Sequence, residues 1–210
     1  ESYYIQSQKG CEYMLPIQID LPKNFLEEEI RCGYKISSEM KKVWAVEMDM
    51  LYQLDQICRK YNIHYFASGG TMLGAVRHKG FIPWDDDIDI MMFREEYDKL
   101  CKVAPKELKY PYFFQTEYTD KGSLRGHAQI RNCKTTGILM SEKDKKYQFN
   151  QGIFVDIFPL DAIVNDEELF HRQFKRAMKY KKLAFQIAKL TTRYNSYTLQ
   201  SKKKIFIFLL

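Results

Sequence analysis

Trp84-Asp85-Asp86-Asp87-Ile88-Asp89-Ile90 sets four aspartates within five positions, a short way beyond the glycine turn Ser68-Gly69-Gly70-Thr71. Carboxylates this dense repel one another by about 4 kcal/mol per pair at ~4 Å and an effective dielectric of ~20. The flanking apolar residues predict a strand over Asp87–Met92. On a strand, residues two apart share a face, so Asp87 and Asp89 point one way while Ile88 and Ile90 point into a core. A half-buried pair of like charges is best explained by a cation between them. With hard oxygen ligands alone, that cation is Mg2+ or Mn2+. Asp85 shares parity with Asp87 and is a candidate accessory ligand; Asp86 is expected to face away.

Upstream, Ile63–Ala67 reads as a strand running into the glycines, and Met72–His78 as a short helix. Glycines let the backbone approach a ligand, and a helix N-terminus offers unpaired amides to phosphate. An ordinary turn is the alternative. Downstream, Phe154-Val155-Asp156-Ile157-Phe158 puts one acid inside an apolar strand. Unpaired, that carboxylate would cost several kcal/mol or shift its pKa strongly. A core aspartate with a salt-bridge partner is the competing reading. Were the two strands neighbours, Asp87, Asp89 and Asp156 would converge as in a two-metal site.

Around this centre, apolar residues at helical spacing predict a helix over Ser38–Tyr61, capped by Ser37 or Ser38 and ended at Asn62. Phe25–Arg31 is a shorter helical candidate. Arg94–Val103 reads as a helix closed by Pro105. Tyr112–Thr116, Ala128–Asn132 and Thr136–Met140 read as strands of a meander, and Ile153–Phe158 as a strand ended by Pro159. Asn165 with Glu168 resembles a capping box opening a basic amphipathic helix to about Leu190. The alternation of helices and strands places the chain among α/β or α+β folds. Three segments are expected: an N-terminal extension packed on the core (1–36), the core itself (37–164), and a basic helical portion (165–210).

Composition limits the alternatives. The 210 residues are 45% hydrophobic, enough for one well-cored domain. The net charge of +6 collects between Arg172 and Lys204, where a helix could pack on the core or meet anionic lipid. Charge alone decides nothing, and nucleic acid is not the expected partner. Five cysteines, Cys11, Cys32, Cys58, Cys101 and Cys133, lack zinc spacing and read as free thiols of a reducing cytoplasm. No signal peptide is evident, and no run reaches the ~18 apolar residues of a membrane span. Glu1 in place of Met and the abrupt apolar end Ile205–Leu210 suggest an incomplete chain.

The stretch from Ser68 through Gly74-Ala75-Val76-Arg77-His78-Lys79-Gly80-Phe81-Ile82-Pro83-Trp84 to Ile90 resembles the signature of the LicD family, as does the Arg59-Lys60-Tyr61-Asn62-Ile63 run before it. Gly152–Asp161 resembles that family's second block, and Gln129-Ile130-Arg131 with Thr135-Thr136 a weaker one. The resemblance covers about 45–162. It implies a nucleotidyltransferase-type core of the DNA polymerase beta kind, a mixed sheet flanked by helices. It implies, too, transfer of phosphocholine or another phospho-alcohol from a CDP-activated donor, CDP-choline first, to a cell-surface glycan or its lipid-linked precursor, of teichoic acid or lipopolysaccharide type. On that basis Asp87 and Asp89 are Mg2+ ligands and Asp156 a third ligand or the general base, these three being the candidate catalytic residues. Gly69, Gly70 and Thr71 would cradle donor phosphate. Arg77 would neutralise diphosphate charge beside His78 and Lys79, which read better as a solvated turn. Arg131 is a second phosphate contact or a salt-bridge partner of an aspartate. The expected setting is the cytoplasm, at the inner face of the membrane. Two other readings stay open: a nucleotidyltransferase acting on a sugar phosphate, RNA end or small molecule, and a non-catalytic binding shell.

Overall fold

Ser37 begins the first long helix, α1 (Ser38–Tyr61), its hydroxyl accepting from the Met40 amide at 3.2 Å, and Asn62 ends it in the left-handed region at φ 49°. Glu39 in the first turn and Arg59 and Lys60 in the last complement the helix dipole. Val43, Val46, Met50, Leu54, Ile57 and Cys58 form its buried stripe. This is the helix the periodicity predicts. The structure, a computed structural model, describes residues 3–4, 15–142, 144 and 147–194; Cys11 and the apolar end Ile205–Leu210 lie outside them.

The remaining elements, in order, are β1 (Tyr3–Tyr4), β2 (Glu29–Arg31) and β3 (Tyr34–Ile36) before α1, then β4 (Phe66–Ala67), α2 (Gly69–Arg77), β5 (Asp89–Phe93), α3 (Arg94–Glu107), β6 (Tyr112–Gln115), β7 (Ala128–Asn132), β8 (Ile138–Leu139), a 3-10 turn at Met140–Glu142, β9 (Phe154–Leu160) and α4 (Glu167–Tyr194). Five strands form one mixed sheet in the order β4-β5-β9-β7-β6. β5 and β9 run parallel, and the other neighbours antiparallel. The fold is therefore mixed α/β. Ile88, Ile90, Met92, Ala128, Ile130, Val155 and Ile157 meet the α1 stripe and Leu100 of α3 in one core.

Several expectations give way. Phe25–Arg31 is not a helix. Cys32 and Gly33, at φ 53° and 73°, form a two-residue turn that suits a hairpin's twist and pairs β2 with β3. β8 does not join a meander; it pairs with β1. Pro105 lies within the last turn of α3, and Pro159 lies within β9. The register carries β7 only as far as Ile157, so Pro159 has β5 alone beside it and no central ladder is broken. The most consequential shift is at β5, which starts at Asp89 rather than Asp87. Asp85 turns back on Ile82, and its carbonyl takes the Trp44 indole N–H at 2.9 Å, so the Asp85–Asp87 run bends onto α1.

The segment before α1 belongs to the same unit. Asp49, fully buried, accepts the Gln18 and Ile19 amides, and Asn132 donates to the Pro16 carbonyl at 2.9 Å. A second unit begins at Ile163. Its helix α4 is capped by Asp166, one residue beyond the predicted Asn165, with the Leu169 amide donating to Asp166 Oδ1 at 2.7 Å. Leu169, Phe174, Met178 and Leu183 of that helix are exposed, so the apolar stripe read from the sequence is not a buried one over these residues. Among the described residues no helix is long and apolar enough to cross a membrane.

Candidate functional site

The carboxylates meet at the end of the sheet where the interior strands β5 and β9 begin. Asp89 and Asp156 are register partners on these parallel strands, so their side chains leave the same face of the sheet. Asp87 joins them from the turn rather than from the strand, which removes the alternation argument but not the convergence. Asp85, Asp86 and Asp87 bring carboxylate oxygens within 4.8 Å of one another. Asp86 is not turned out to solvent as expected; it is 9% exposed.

Burial and mutual repulsion raise the affinity of these groups for protons. Burial, then the charges of Asp89, Asp85, Asp86 and Asp156, push Asp87 up to about 7. Burial, then Asp156 and Asp85, push Asp89 up to about 6, against a lowering by His127. Both groups hold a proton in the folded chain at a pH where the unfolded chain, near 3.8, has lost it. Folding therefore becomes less favourable as pH rises from about 4 to about 7. Without divalent cations, wild type is expected to lose melting temperature relative to Asp87→Asn across that window, measured by differential scanning fluorimetry. A gap independent of pH would contradict the assignment.

The glycine turn serves the aspartates. A Cβ on Gly70 would stand 2.2 Å from Asp85 Oδ2, and one on Gly69, at φ 49°, 3.6 Å from Asp89 Oδ2. Two carboxylates thus lie against the positive N-terminal end of α2, which favours them. Thr71 Oγ1 accepts the Asp89 amide at 2.8 Å and so holds the start of β5. The sequence places a phosphate cradle here; the structure sets Asp85 and Asp89 against it.

Asp156 is oriented from β7. Its Oδ1 accepts from Gln129 Nε2 at 2.5 Å and lies 3.0 Å from His127 Nε2, whose ring packs on Phe158 at 4.5 Å. Arg131, 1% exposed, holds Gln129 in turn. Its Nη2 donates to Gln129 Oε1 at 2.6 Å, Nη1 to the Gly152 carbonyl at 2.6 Å, and Nε to Gln115 Oε1 at 2.5 Å, with Phe154 stacked beneath. The guanidinium is buried and supports Asp156 through Gln129, where the sequence led to a phosphate contact or a salt bridge to an aspartate. Arg77 is exposed, its Nε 2.9 Å from His78 Nε2. His78 is half-buried against Trp84 rather than part of a solvated turn. Arg94 forks onto Asp161 at 2.6 and 2.8 Å, joining α3 to the end of β9.

One member escaped the sequence reading. Glu47 of α1 is fully buried, and neither carboxylate oxygen has a hydrogen-bond partner. Burial, then Asp87, Asp86, Asp85 and Asp89, raise its pKa well above the usual range. The signal was its phase: Glu47 lies four residues after Val43 and three before Met50, on the core stripe. His127, which shares strand parity with Gln129 and Arg131, is a second such member, through its contact with Asp156.

Residues 62–194 match the LicD/FKTN/FKRP nucleotidyltransferase domain. The chain belongs to the LicD family. It is 33% identical over 143 residues to the lipopolysaccharide cholinephosphotransferase LicD of Haemophilus influenzae, covering 68% of this chain and 52% of that protein. An uncharacterised protein of Rickettsia prowazekii is 33% identical over 124 residues, 57% of this chain and 44% of its own. The ribitol 5-phosphate transferase FKRP of Homo sapiens is 44% identical over 34 residues, 16% of this chain and 7% of its own. This LicD-family chain thus spans about half the length of the bacterial relatives it matches. The matched segment contains the acidic turn, β5, the His127–Gln129–Arg131 row and β9; Glu47 precedes it.

Proposed function

We propose that the chain carries the catalytic centre of a cation-dependent phosphotransferase with a nucleotidyltransferase-type core. It moves phosphocholine, or another phospho-alcohol, from a CDP-activated donor to a cell-surface glycan or its lipid-linked precursor. The observation that carries this reading is the convergence of Asp85, Asp87, Asp89 and Asp156 in a member of a family whose named relatives transfer phosphocholine and ribitol 5-phosphate. The donor set fits Mg2+ or Mn2+: it is all oxygen, and the buried Glu47 oxygens have no hydrogen-bond partner.

When bound, a divalent cation supplies neutralisation of the donor diphosphate and polarisation of the phosphoryl oxygens. Asp87 and Asp89 are the residues to hold it, with Asp85 as accessory. Asp156, held by Gln129 and His127 through one oxygen, is the third ligand or takes the proton of the acceptor hydroxyl through the other. The hydroxyl oxygen attacks the alcohol-bearing phosphorus, the bond to the bridging diphosphate oxygen breaks, and CMP leaves with the electron pair. Arg77, exposed at the C-terminal end of α2, is the cation assigned to donor phosphate charge in this reading. A cytoplasmic setting belongs to the same reading and suits the exposed free thiols Cys32 and Cys133.

The deciding experiment is mass spectrometry of acceptor glycan after incubation with Mg2+ and a panel of CDP-alcohols. A phospho-alcohol added to the glycan is the expected product. A retained nucleotide would replace this reading with nucleotidyl transfer, and no covalent product from any donor would sink it.

A further inference from the structure

Glu47 has no structural use that its surroundings explain. It stands on α1 one turn beyond Trp44, whose indole holds the Asp85 carbonyl at 2.9 Å, so its side chain lies under the acidic turn. The charges weighing most on it are Asp87, Asp86, Asp85 and Asp89, all negative. As a neutral acid it would need an acceptor for its O–H, and as a carboxylate it would need donors; neither oxygen finds a partner. A buried polar group left in this way costs about 1–3 kcal/mol, and a charged one more. Buried charges persist where they are paired or coordinate a metal.

We propose that Glu47 is a further cation-holding residue of this centre, binding a divalent cation from beneath the Asp85–Asp86–Asp87 turn. The inference rests on the cation reading above and adds to it a residue on another element. It gives α1 a role in the chemistry: the helix brings a carboxylate to the acidic turn and fixes that turn's backbone through Trp44. Asp85, Asp86 and Asp87, whose oxygens lie within 4.8 Å of one another, supply the opposing ligands. The chemical class is a hard divalent cation, since every donor is a carboxylate oxygen.

The test is a Mn2+ titration followed by electron paramagnetic resonance, on wild type, Glu47→Gln and Asp89→Asn, with circular dichroism to check folding. Glu47→Gln is expected to lose a site or bind at least tenfold more weakly, while melting no lower than wild type in the absence of metal. A Glu47→Gln isotherm that overlays wild type overturns this inference alone. No Mn2+ binding by wild type overturns the cation reading itself. Should the variant fail to fold, an anomalous difference map from wild-type crystals soaked in Mn2+ decides. A peak in coordination contact with Glu47 supports the proposal, and a peak at Asp89 and Asp156 without Glu47 refutes it.

Discussion

Asp89→Asn is expected to lower phospho-alcohol transfer by about 10³-fold or more, equivalent to ~4 kcal/mol of transition-state stabilisation. Asp89 is the one aspartate that ties the others together. Its carboxylate lies beside Asp156 in register and against Gly69, and its amide is fixed by Thr71. The substitution keeps the shape and removes the charge, so the strand should form as before. Protein stability in the absence of metal should hold or rise, because a half-buried carboxylate pushed up to about 6 is relieved of repulsion. The rise in melting temperature on adding Mg2+ with CDP-choline should disappear. Wild-type turnover in Asp89→Asn, at saturating donor and cation, would remove Asp89 from the chemistry.

Arg131→Met is expected to destabilise the fold by about 3–5 kcal/mol, since buried acceptors left without a donor cost about 1–3 kcal/mol each. Three acceptors lose their donor at once: Gln115 Oε1, the Gly152 carbonyl and Gln129 Oε1. Gly152 packs so closely on β7 that a Cβ there would stand 2.2 Å from the Asn132 carbonyl oxygen, so little room exists for rearrangement. Urea denaturation measures the loss. Because Gln129 also orients Asp156, activity in the residual folded fraction should fall as well. A change below ~1 kcal/mol would show that the network is dispensable.

Much of this was readable in advance where the signal is local. α1 follows from one apolar stripe between Ser37 and Asn62, and the strand at Ala128–Asn132 appears with the predicted bounds. The acidic turn, β5 and β9 were legible as places for chemistry. What the residues did not disclose depends on partners distant in the chain. Asp87 was assigned to a strand because alternation continues through it; Trp44, far upstream, bends that segment away. Arg131 was read, from the family resemblance, as a phosphate contact or a salt-bridge partner of an aspartate. Its burial depends on Gln115, Gly152 and Phe154 closing around it. Glu47 sat in plain view on a helix, and its charge concealed the fact that its phase is that of the core.

The order of the sheet also bears on how the protein is made. β9 lies between β5 and β7, yet it is the last of the five strands to leave the ribosome. Until it emerges, the edges of β5 and β7 that it will cover stand unpaired, a state exposed to misassembly with a neighbouring copy. The same late strand delivers Asp156 beside Asp89. Sheet closure and completion of the reaction centre are one event, so an unfinished chain has neither.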